Sequence, residues 1–200
     1  MAATNSDIGT ASRAGSRPTS WNRSWALASL MTGVTVLSAR FSEYIPPTPV
    51  PLTLQVFAVL LTGLLLGRRW SAVAQIQYLA LGAVGLPVFA KAGFGLSSLL
   101  GVTGGYLLSY PIAACVVGWI ADASRAESDS LPRYFLACAT GLAIIYIMGS
   151  AWYAAVIHAP LSAVILPAAL IFLPWDCVKA AAAVAVARGI RSATRSRTGL

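Results

Sequence analysis

The sequence is poor in charged residues. Asp, Glu, Lys and Arg make up only 10% of its 200 residues, whereas roughly a quarter of a typical soluble domain is charged. Hydrophobic residues account for 58% of the chain, and the mean hydropathy is +0.74. This composition excludes an ordinary soluble domain and predicts an integral membrane protein. Because a spanning helix needs about 20 apolar residues, the length fits one domain of several helices.

Histidine, cysteine and acidic residues are too few or too scattered for a conventional catalytic or metal site. His158 is the only histidine and has no carboxylate or cysteine at catalytic spacing. The three cysteines, Cys115, Cys138 and Cys177, fall in apolar segments without metal-ligand spacing. The glycine-rich residues 101–106 lack the Lys and Ser/Thr of a phosphate-binding loop. We therefore predict no enzyme activity, no nucleotide hydrolysis, no metal and no cofactor.

The N-terminal residues 1–23 have no long apolar run. They are rich in Ser, Ala, Thr and Arg, and they lack the apolar segment of a cleaved secretory signal. They predict a disordered cytoplasmic tail, with an organellar transit peptide as the less favoured alternative. The net charge of +8 lies mainly at the chain ends and in short connections. Since cytoplasmic segments of membrane proteins have this distribution, no nucleic-acid partner is predicted.

Apolar runs predict an all-α membrane domain, residues 24–189, with six transmembrane helices. The runs cover residues 25–39, 52–67, 70–85, 106–120, 134–157 and 174–189. Residues 161–172 predict a short interfacial or tilted helix. The glycine-rich residues 85–105 are too broken for a regular helix and too apolar for an aqueous loop, so they predict a re-entrant segment between helices 3 and 4. Residues 190–200 follow as a basic cytoplasmic tail.

The basic residues predict the orientation. With six spans, both termini and the connections around 68–69 and 122–133 share one side, which holds nearly all the arginines. The other side has only Arg40 and Lys91. The positive-inside rule then places both termini in the cytoplasm of a multi-pass protein of the cell inner (plasma) membrane. We expect the basic tail to lie against anionic membrane lipids.

Small residues on the first predicted helix indicate a docking face. Ser29 and Gly33 lie four residues apart, with Ala28 and Thr32 beside them. Such a stripe lets another helix approach closely. The partner helix can belong to the same chain or to a second subunit.

Two charges interrupt the apolar region near the last predicted helix. Asp176 and Lys179 lie three residues apart, on one helix face. Either charge alone at the bilayer centre would cost about 2.5 to 3.5 kcal/mol on insertion scales, so such residues face a partner, a cavity or a ligand. Pro174 predicts the helix start, which puts Asp176 in the first turn. The alternatives are a ligand pocket that opens outward and an ion pair that only neutralises itself.

Four motifs resemble the BioY family, the biotin-binding S components of energy-coupling-factor transporters. They are residues 49–55 (PVPLTLQ), 82–89 (GAVGLPVF), 101–107 (GVTGGYL) and 173–179 (LPWDCVK). The resemblance implies a six-helix membrane protein that captures biotin from outside. Its implied partners are a transmembrane coupling (T) protein and a pair of cytoplasmic ATPases, although some members are thought to work without dedicated ATPases. The chain departs from the family pattern at Val102, where proline is common, and at Ser109, where glycine is common.

The resemblance also implies roles for individual residues. Asp176 and Lys179 match the last motif and would bind ligand, with Asp176 accepting hydrogen bonds from the ureido N–H groups of biotin. The biotin carboxylate would bind either Lys179 or Lys91. Candidate donors to the ureido oxygen are Gln55, Thr53, Gln75 and Tyr78. Candidates for packing on the biotin rings are Phe89, Tyr106 and Trp175.

Other functions stay open at this point. A membrane enzyme is disfavoured by the residue types that the chain lacks. A ligand-free structural or assembly subunit of a membrane complex is the alternative, as is an S component for a different small vitamin. Binding of biotin by the purified protein discriminates among these interpretations.

Overall fold

The computed structural model describes residues 19–44, 50–127 and 130–198, which form a bundle of helices with one small β-hairpin. The helices are α1 (Thr19–Arg40), α2 (Gln55–Ala83), α3 (Gly95–Leu100), α4 (Gly104–Glu127), α5 (Leu131–Val156), α6 (Leu161–Ile165) and α7 (Leu173–Thr198). Strands β1 (Ser42–Tyr44) and β2 (Pro51–Thr53) pair antiparallel between α1 and α2. A 3₁₀ turn covers Ala90–Ala92, and a π-helical turn covers Leu166–Leu170. The mostly helical class agrees with the prediction.

Helix α2 reverses direction at Gly67, where φ is 74° and the helical geometry is interrupted. Gln55 and Tyr78 are 23 residues apart, which would separate them by about 34 Å along a straight helix. Gln55 Nε2 nevertheless donates a hydrogen bond to Tyr78 Oη at 2.5 Å. The halves of α2 before and after Gly67 therefore lie side by side and antiparallel. Glycine adopts this positive φ without a steric penalty, whereas a Cβ at Gly67 would lie 2.6 Å from Asp122 Oδ2.

Contacts at the Gly67 turn show how the other long helices run. The backbone N–H of Arg68 donates to Asp122 near the end of α4, at 3.0 Å. Arg191, near the end of α7, donates to the backbone carbonyl of Leu64 just before the turn and to the hydroxyl of Tyr134 near the start of α5. These segments therefore meet at one end of the bundle, which we call the turn end. The opposite end, where α2 begins, is called the cavity end.

Small residues let α2 and α4 approach closely along the centre of the bundle. A Cβ on Gly63 would lie 2.7 Å from the side chain of Val117, and Gly118 faces the backbone at Gly67. Gly63 and Gly67 are four residues apart, as are Ala114 and Gly118. This small-xxx-small spacing is typical of closely packed membrane helices. The α2–α4 interface is the most extensive contact between helices in the described chain.

Several helices have the length and composition of membrane spans. Within the described part of the chain, these are Gly104–Ala123, Leu131–Val156 and, by its total length, Gln55–Ala83, which consists of the two antiparallel halves on either side of Gly67. A fourth candidate combines Leu161–Leu170 with Leu173–Thr194, which are bent by 44° relative to each other. The chain is thus a membrane protein by the length and composition of its helices.

Helices α1, α4 and α7 extend well beyond their predicted bounds. Helix α4 continues to Glu127 instead of ending near residue 120. Helix α1 begins at Thr19, so residues 19–23 of the predicted disordered tail are helical, while residues 1–18 lie outside the described residues. Helix α7 continues to Thr198 instead of ending near Gly189. Arginine is a good helix former, and residues 190–198 contain three arginines and neither glycine nor proline. Most of the predicted basic tail is therefore a helical continuation of α7.

The glycine-rich residues 85–105 form short elements in place of a long helix. The 3₁₀ turn and α3 lie within them. Lys91 and Ala92 have φ of 53° and 62°, a conformation that non-glycine residues adopt at a steric cost. The re-entry of this segment into the membrane stays a prediction. The proline-rich residues 45–49, predicted as a stiff outer loop, lie outside the described residues.

Candidate functional site

A cavity of about 240 Å³ opens at the cavity end of the bundle. The β-hairpin, the start of α2, the segment before α4, and helices α4, α5 and α7 all contribute to its walls. Its polar lining includes Tyr44, Thr53, Gln55, Ser98, Thr103, Tyr106, Tyr110, Tyr146, Asp176 and Lys179. Its apolar lining includes Val50, Leu52, Val56, Phe89, Leu107, Ile145 and Phe172. Apolar walls with a few convergent polar groups are typical of small-molecule sites.

The cavity contains a buried ion pair on the first turns of α7. Lys179 Nζ lies 2.8 Å from Asp176 Oδ1. Tyr146 of α5 donates its hydroxyl to the other carboxylate oxygen, Oδ2, at 2.5 Å. Asp176 is only 2% exposed and Lys179 8%. Because an unpaired charge at such burial is strongly destabilising, the lysine and the tyrosine together stabilise the ionised carboxylate.

Both members of the ion pair retain unused hydrogen-bonding capacity. A carboxylate offers about four lone-pair sites and an ammonium group three N–H donors. Asp176 accepts one side-chain hydrogen bond at each oxygen, and Lys179 makes one to Asp176. No further side-chain partner of either group occurs among the described residues. The pair therefore presents an acceptor and a donor side by side to the cavity.

Gln55 begins α2 and is held in position by two neighbours. Its backbone N–H donates to Thr53 Oγ1 at 3.2 Å, and its side-chain amide donates to the Tyr78 hydroxyl at 2.5 Å. Tyr78 in turn donates to the carbonyl of Val88 at 3.2 Å. Tyr78 does not line the cavity and is fully buried. It therefore orients Gln55 and connects α2 to the segment that carries Phe89.

The structure brings together five of the nine residues predicted to bind ligand. Those that line the cavity are Thr53, Gln55, Tyr106, Asp176 and Lys179. The aromatic candidate Phe89 lines it as well. The four that do not are Gln75, Tyr78, Lys91 and Trp175.

Lys91 lies beside the cavity and its side chain contacts the β-hairpin. Its Nζ atom is 3.6 Å from Glu43 Oε2 and 5.3 Å from the ring centroid of Tyr44. Its side chain is 40% exposed. The neighbouring Ala90 and the contacting Tyr44 both line the cavity. Lys91 is thus at the rim.

Gln75 and Trp175 lie away from the cavity for different reasons. Gln75 is fully buried between α1 and the second half of α2, where its amide donates to Thr35 Oγ1 at 3.2 Å. A polar side chain can link helices in this way inside a membrane. Trp175 is 56% exposed although it precedes Asp176, because adjacent residues on a helix point in different directions.

Sequence reasoning missed Tyr110 and Tyr146. Tyr110 follows Tyr106 by four residues, so the two share a helix face, and that spacing could have identified it. Tyr146 stands alone in the apolar run of α5, where an aromatic residue resembles ordinary core. Its hydrogen bond to Asp176 joins residues 30 apart in the chain, and no local pattern records it.

Ser29 and Gly33 lie on the exposed face of α1. They line a groove of about 700 Å³ between α1 and the second half of α2. The hydroxyl of Thr32, on the floor of the groove, contacts Gln77 Oε1 at 2.9 Å. A Cβ on Gly33 would meet no other atom within 4 Å. The predicted docking face is therefore open to a partner.

The residues that the structure describes include no group of three or more His, Cys, Asp or Glu side chains arranged to hold a metal ion.

Comparisons with known proteins agree on one family. The BioY family model matches residues 10–196. The probable biotin transporter BioY of Pyrococcus horikoshii is 36% identical over 169 residues, which cover 84% of this chain and 96% of that protein. The biotin transporter BioY of Thermotoga maritima is 41% identical over 122 residues, which cover 61% of this chain and 69% of that protein.

A solved structure has the same fold. It is a crystal structure of the S-component for biotin from an ECF-type ABC transporter. The TM-score is 0.80, with 24% sequence identity over 86% of this chain and 93% of that chain. The arrangement of helices described above is thus that of a known membrane-protein fold.

Proposed function

The chain belongs to the BioY family, and from that premise we propose that it is the substrate-binding membrane subunit of a vitamin uptake transporter that captures biotin for import. The observation that carries this proposal is the buried Asp176–Lys179 pair, which faces a small cavity and retains hydrogen-bonding capacity. The names of the curated relatives support biotin as the ligand.

The proposal includes six helical passes with both termini in the cytoplasm. Support comes from the reversal at Gly67 and from the opposed positions of the cavity end and the turn end. The turn end has exposed arginines at positions 68, 69 and 188, whereas the cavity end has Arg40 and Lys91. By the positive-inside rule the turn end is cytoplasmic and the cavity opens outward. The glycine-rich segment before α4 then enters the membrane from outside and returns.

The ion pair matches the ureido group of biotin, which presents N–H donors beside a carbonyl acceptor. Asp176 accepts from a ureido N–H, and Lys179 donates to the ureido oxygen. Their charged atoms are only 2.8 Å apart, while the ureido and carboxylate groups lie at opposite ends of biotin. Lys179 therefore cannot reach the carboxylate while Asp176 binds the ureido ring. The carboxylate extends toward the rim, where Lys91 is the candidate cation.

Ligand titrations of the purified protein in lipid nanodiscs test this proposal. We expect biotin to bind. Lipoate keeps a sulfur ring and the same acid tail but lacks the ureido group, so it should bind at least about 100-fold more weakly, because it would leave the polar groups of Asp176 and Lys179 unpaired. Equal binding of lipoate would overturn the assignment of the ion pair to the ureido group. Absence of biotin binding would overturn the function and favour a ligand-free assembly subunit.

The proposed partners are a transmembrane coupling protein and a pair of cytoplasmic ATPases. The fold likeness to an ECF-type S-component supports this context. We place the coupling protein on the exposed Ser29/Gly33 face, because small residues there leave space for a close helix contact. In this scheme the chain itself is not an enzyme, and the ATPases supply the energy for transport.

A further inference from the structure

Three tryptophans and one arginine form a cluster at the turn end. The rings of Trp21 and Trp25 in α1 each lie 5.3 Å from the ring of Trp70 in α2, and 6.2 Å from each other. All three pairs are edge-to-face, a favourable geometry for aromatic rings. The guanidinium carbon of Arg69 lies 5.1 Å from the ring centroid of Trp21 and 5.8 Å from that of Trp70. We call these four residues the Trp–Arg cluster.

Most of the Trp–Arg cluster is exposed, although its members contact one another. Trp21 is 46% exposed and Trp25 40%. Arg69 is also exposed, and in residues 19–44, 50–127 and 130–198 it pairs with no carboxylate. The rings thus hold the guanidinium in place while its N–H donors are available to an external anion. Arg68, which precedes Arg69, and Arg23, which lies midway in the chain between Trp21 and Trp25, are exposed as well and add positive charge.

The position of the cluster favours a lipid as that anion. It lies at the turn end, beside the break at Gly67, where the apolar parts of α1 and α2 give way to arginines. Tryptophan is enriched where a membrane protein meets the lipid headgroups. The cytoplasmic leaflet carries anionic lipids that attract basic residues near its surface. A guanidinium group can bind two phosphate oxygens through its planar fork, whereas an ammonium group acts as a point charge.

We propose that the Trp–Arg cluster is a binding site for the phosphate of an anionic phospholipid. Arg69 binds the phosphate oxygens, and the indole rings both orient Arg69 and pack against the glycerol region of the lipid. Because Trp21 and Trp25 belong to α1 and Trp70 to α2, the bound lipid would hold the start of α1 against the Gly67 turn. This site is separate from the biotin cavity, which lies at the other end of the bundle.

A pair of charge-preserving variants tests the site. Arg69→Lys keeps the charge but loses the planar fork and its stacking, so phosphatidylglycerol should bind about fivefold more weakly or worse. Arg188→Lys is the matched control, since Arg188 is exposed on α7 and makes no ring contact in the described chain. That variant should retain affinity within about twofold. Lipid retention is measured by native mass spectrometry, with phosphatidylcholine as the zwitterionic comparison.

The possible results of the lipid-retention experiment support or overturn the proposal as follows. Selective weakening in Arg69→Lys, with preference for phosphatidylglycerol over phosphatidylcholine in the unmodified protein, supports the proposal. Equal affinity in Arg69→Lys and unmodified protein, or equal weakening in the Arg188→Lys control, overturns it. Displacement of the lipid by millimolar inorganic phosphate would assign the site to a free anion instead. Unchanged lipid retention together with reduced partner-driven uptake in Arg69→Lys would assign the cluster to a protein partner, and this also overturns the proposal.

A second pair of variants tests the contribution of the tryptophan rings separately from that of the arginine charge. Trp70→Leu removes the ring shared by two of the three edge-to-face contacts and should weaken phosphatidylglycerol binding. Trp175→Leu removes an exposed indole from α7 and should have no effect. Thermal unfolding of each variant verifies that it is folded. Equal lipid retention in the two tryptophan variants, both folded, would show that the rings do not form the site.

Discussion

The two ends of the bundle contain similar polar groups in different surroundings. The cavity end has Asp176, Lys179 and Tyr146, and the turn end has Asp122, Arg191 and Tyr134. At the cavity end the acid and the base come from α7 and the phenol from α5, whereas at the turn end the acid comes from α4, the base from α7 and the phenol from α5. Their hydrogen-bond partners nevertheless differ, and so do their roles.

At the turn end, side chains satisfy the backbone at the break in α2. Arg191 donates to the carbonyl of Leu64, close to the end of the first half of the helix. Asp122 accepts from the N–H of Arg68, at the start of the second half, at 3.0 Å. A cation near the C-terminal end of a helix and an anion near an N-terminal end both complement the helix dipole. The charges at this end therefore stabilise the fold.

At the cavity end, the side chains bond mainly to one another. Asp176 receives its side-chain hydrogen bonds from Lys179 and Tyr146. All three line the cavity, so their remaining lone pairs and N–H donors are accessible to a ligand. Charges that satisfy backbone groups are structural, whereas buried charges that satisfy only neighbouring side chains beside a cavity are candidates for binding.

Asp176→Asn should have the largest effect on biotin affinity, a loss of about 100-fold. The change removes the charge proposed to bind the ureido N–H and leaves Lys179 buried without a counter-ion. Isothermal titration of the variant in nanodiscs measures the loss. Affinity equal to that of the unmodified protein would show that Asp176 does not bind the ligand.

Asp122→Asn is the counterpart of Asp176→Asn at the turn end. We expect the free energy of unfolding to fall by about 1 to 2 kcal/mol, because the hydrogen bond to the N–H of Arg68 loses its charge. Biotin affinity of the folded protein should not change. A large loss of affinity in this variant would contradict the division between a binding end and a structural end.

Lys179→Met should weaken biotin binding by about 30-fold, since it removes the proposed donor to the ureido oxygen and leaves Asp176 without its cation. Lys91→Met is the matched control at the rim. Because Lys91 is partly exposed and paired with Glu43, its loss should cost at most about fivefold. Titration of both variants with biotin and with its methyl ester measures which lysine binds the carboxylate. A larger loss in Lys91→Met would reverse the proposed orientation of biotin.

Tyr146→Phe should weaken biotin binding by about fivefold, because Asp176 Oδ2 loses the hydroxyl that orients it. The same change at the turn end, Tyr134→Phe, removes a partner of Arg191. It should lower the melting temperature without a change in affinity. Titration with biotin and thermal unfolding measure the affinity and the melting temperature of both variants. An unchanged affinity in Tyr146→Phe would show that the hydroxyl does not position the carboxylate.

Gly33→Leu should have the smallest effect on biotin affinity, namely none. Gly33 lies on the exposed face of α1, and a side chain at this position projects into open space. The leucine would fill the groove proposed for the coupling protein, so uptake in cells should be abolished. Biotin binding and uptake are measured on the same variant. Normal uptake would exclude this groove as the docking face, whereas loss of both activities would indicate misfolding and contradict the prediction.

Local signals explain which parts of the site could be predicted. Asp176 and Lys179 stand out because charges are rare in an apolar segment, and their spacing places them on one helix face. Gln55 and Thr53 stand out as polar residues at the start of a predicted span. Gln75 gives the same local signal, yet it bonds to Thr35 of α1 and lies away from the cavity. A polar residue in a predicted span thus indicates a need for a partner without identifying that partner.

The sequence by itself determined that this chain is a helical membrane protein, where most of its helices lie, and that one acid and one base share a turn near the start of the last helix. These properties depend on composition and on spacing along a single helix. Only the tertiary structure decided that Tyr146 bonds to Asp176, that Lys91 contacts Glu43 at the rim, and that Tyr78 supports Gln55 from behind. These contacts join residues far apart in the chain, and their geometry depends on how the helices pack.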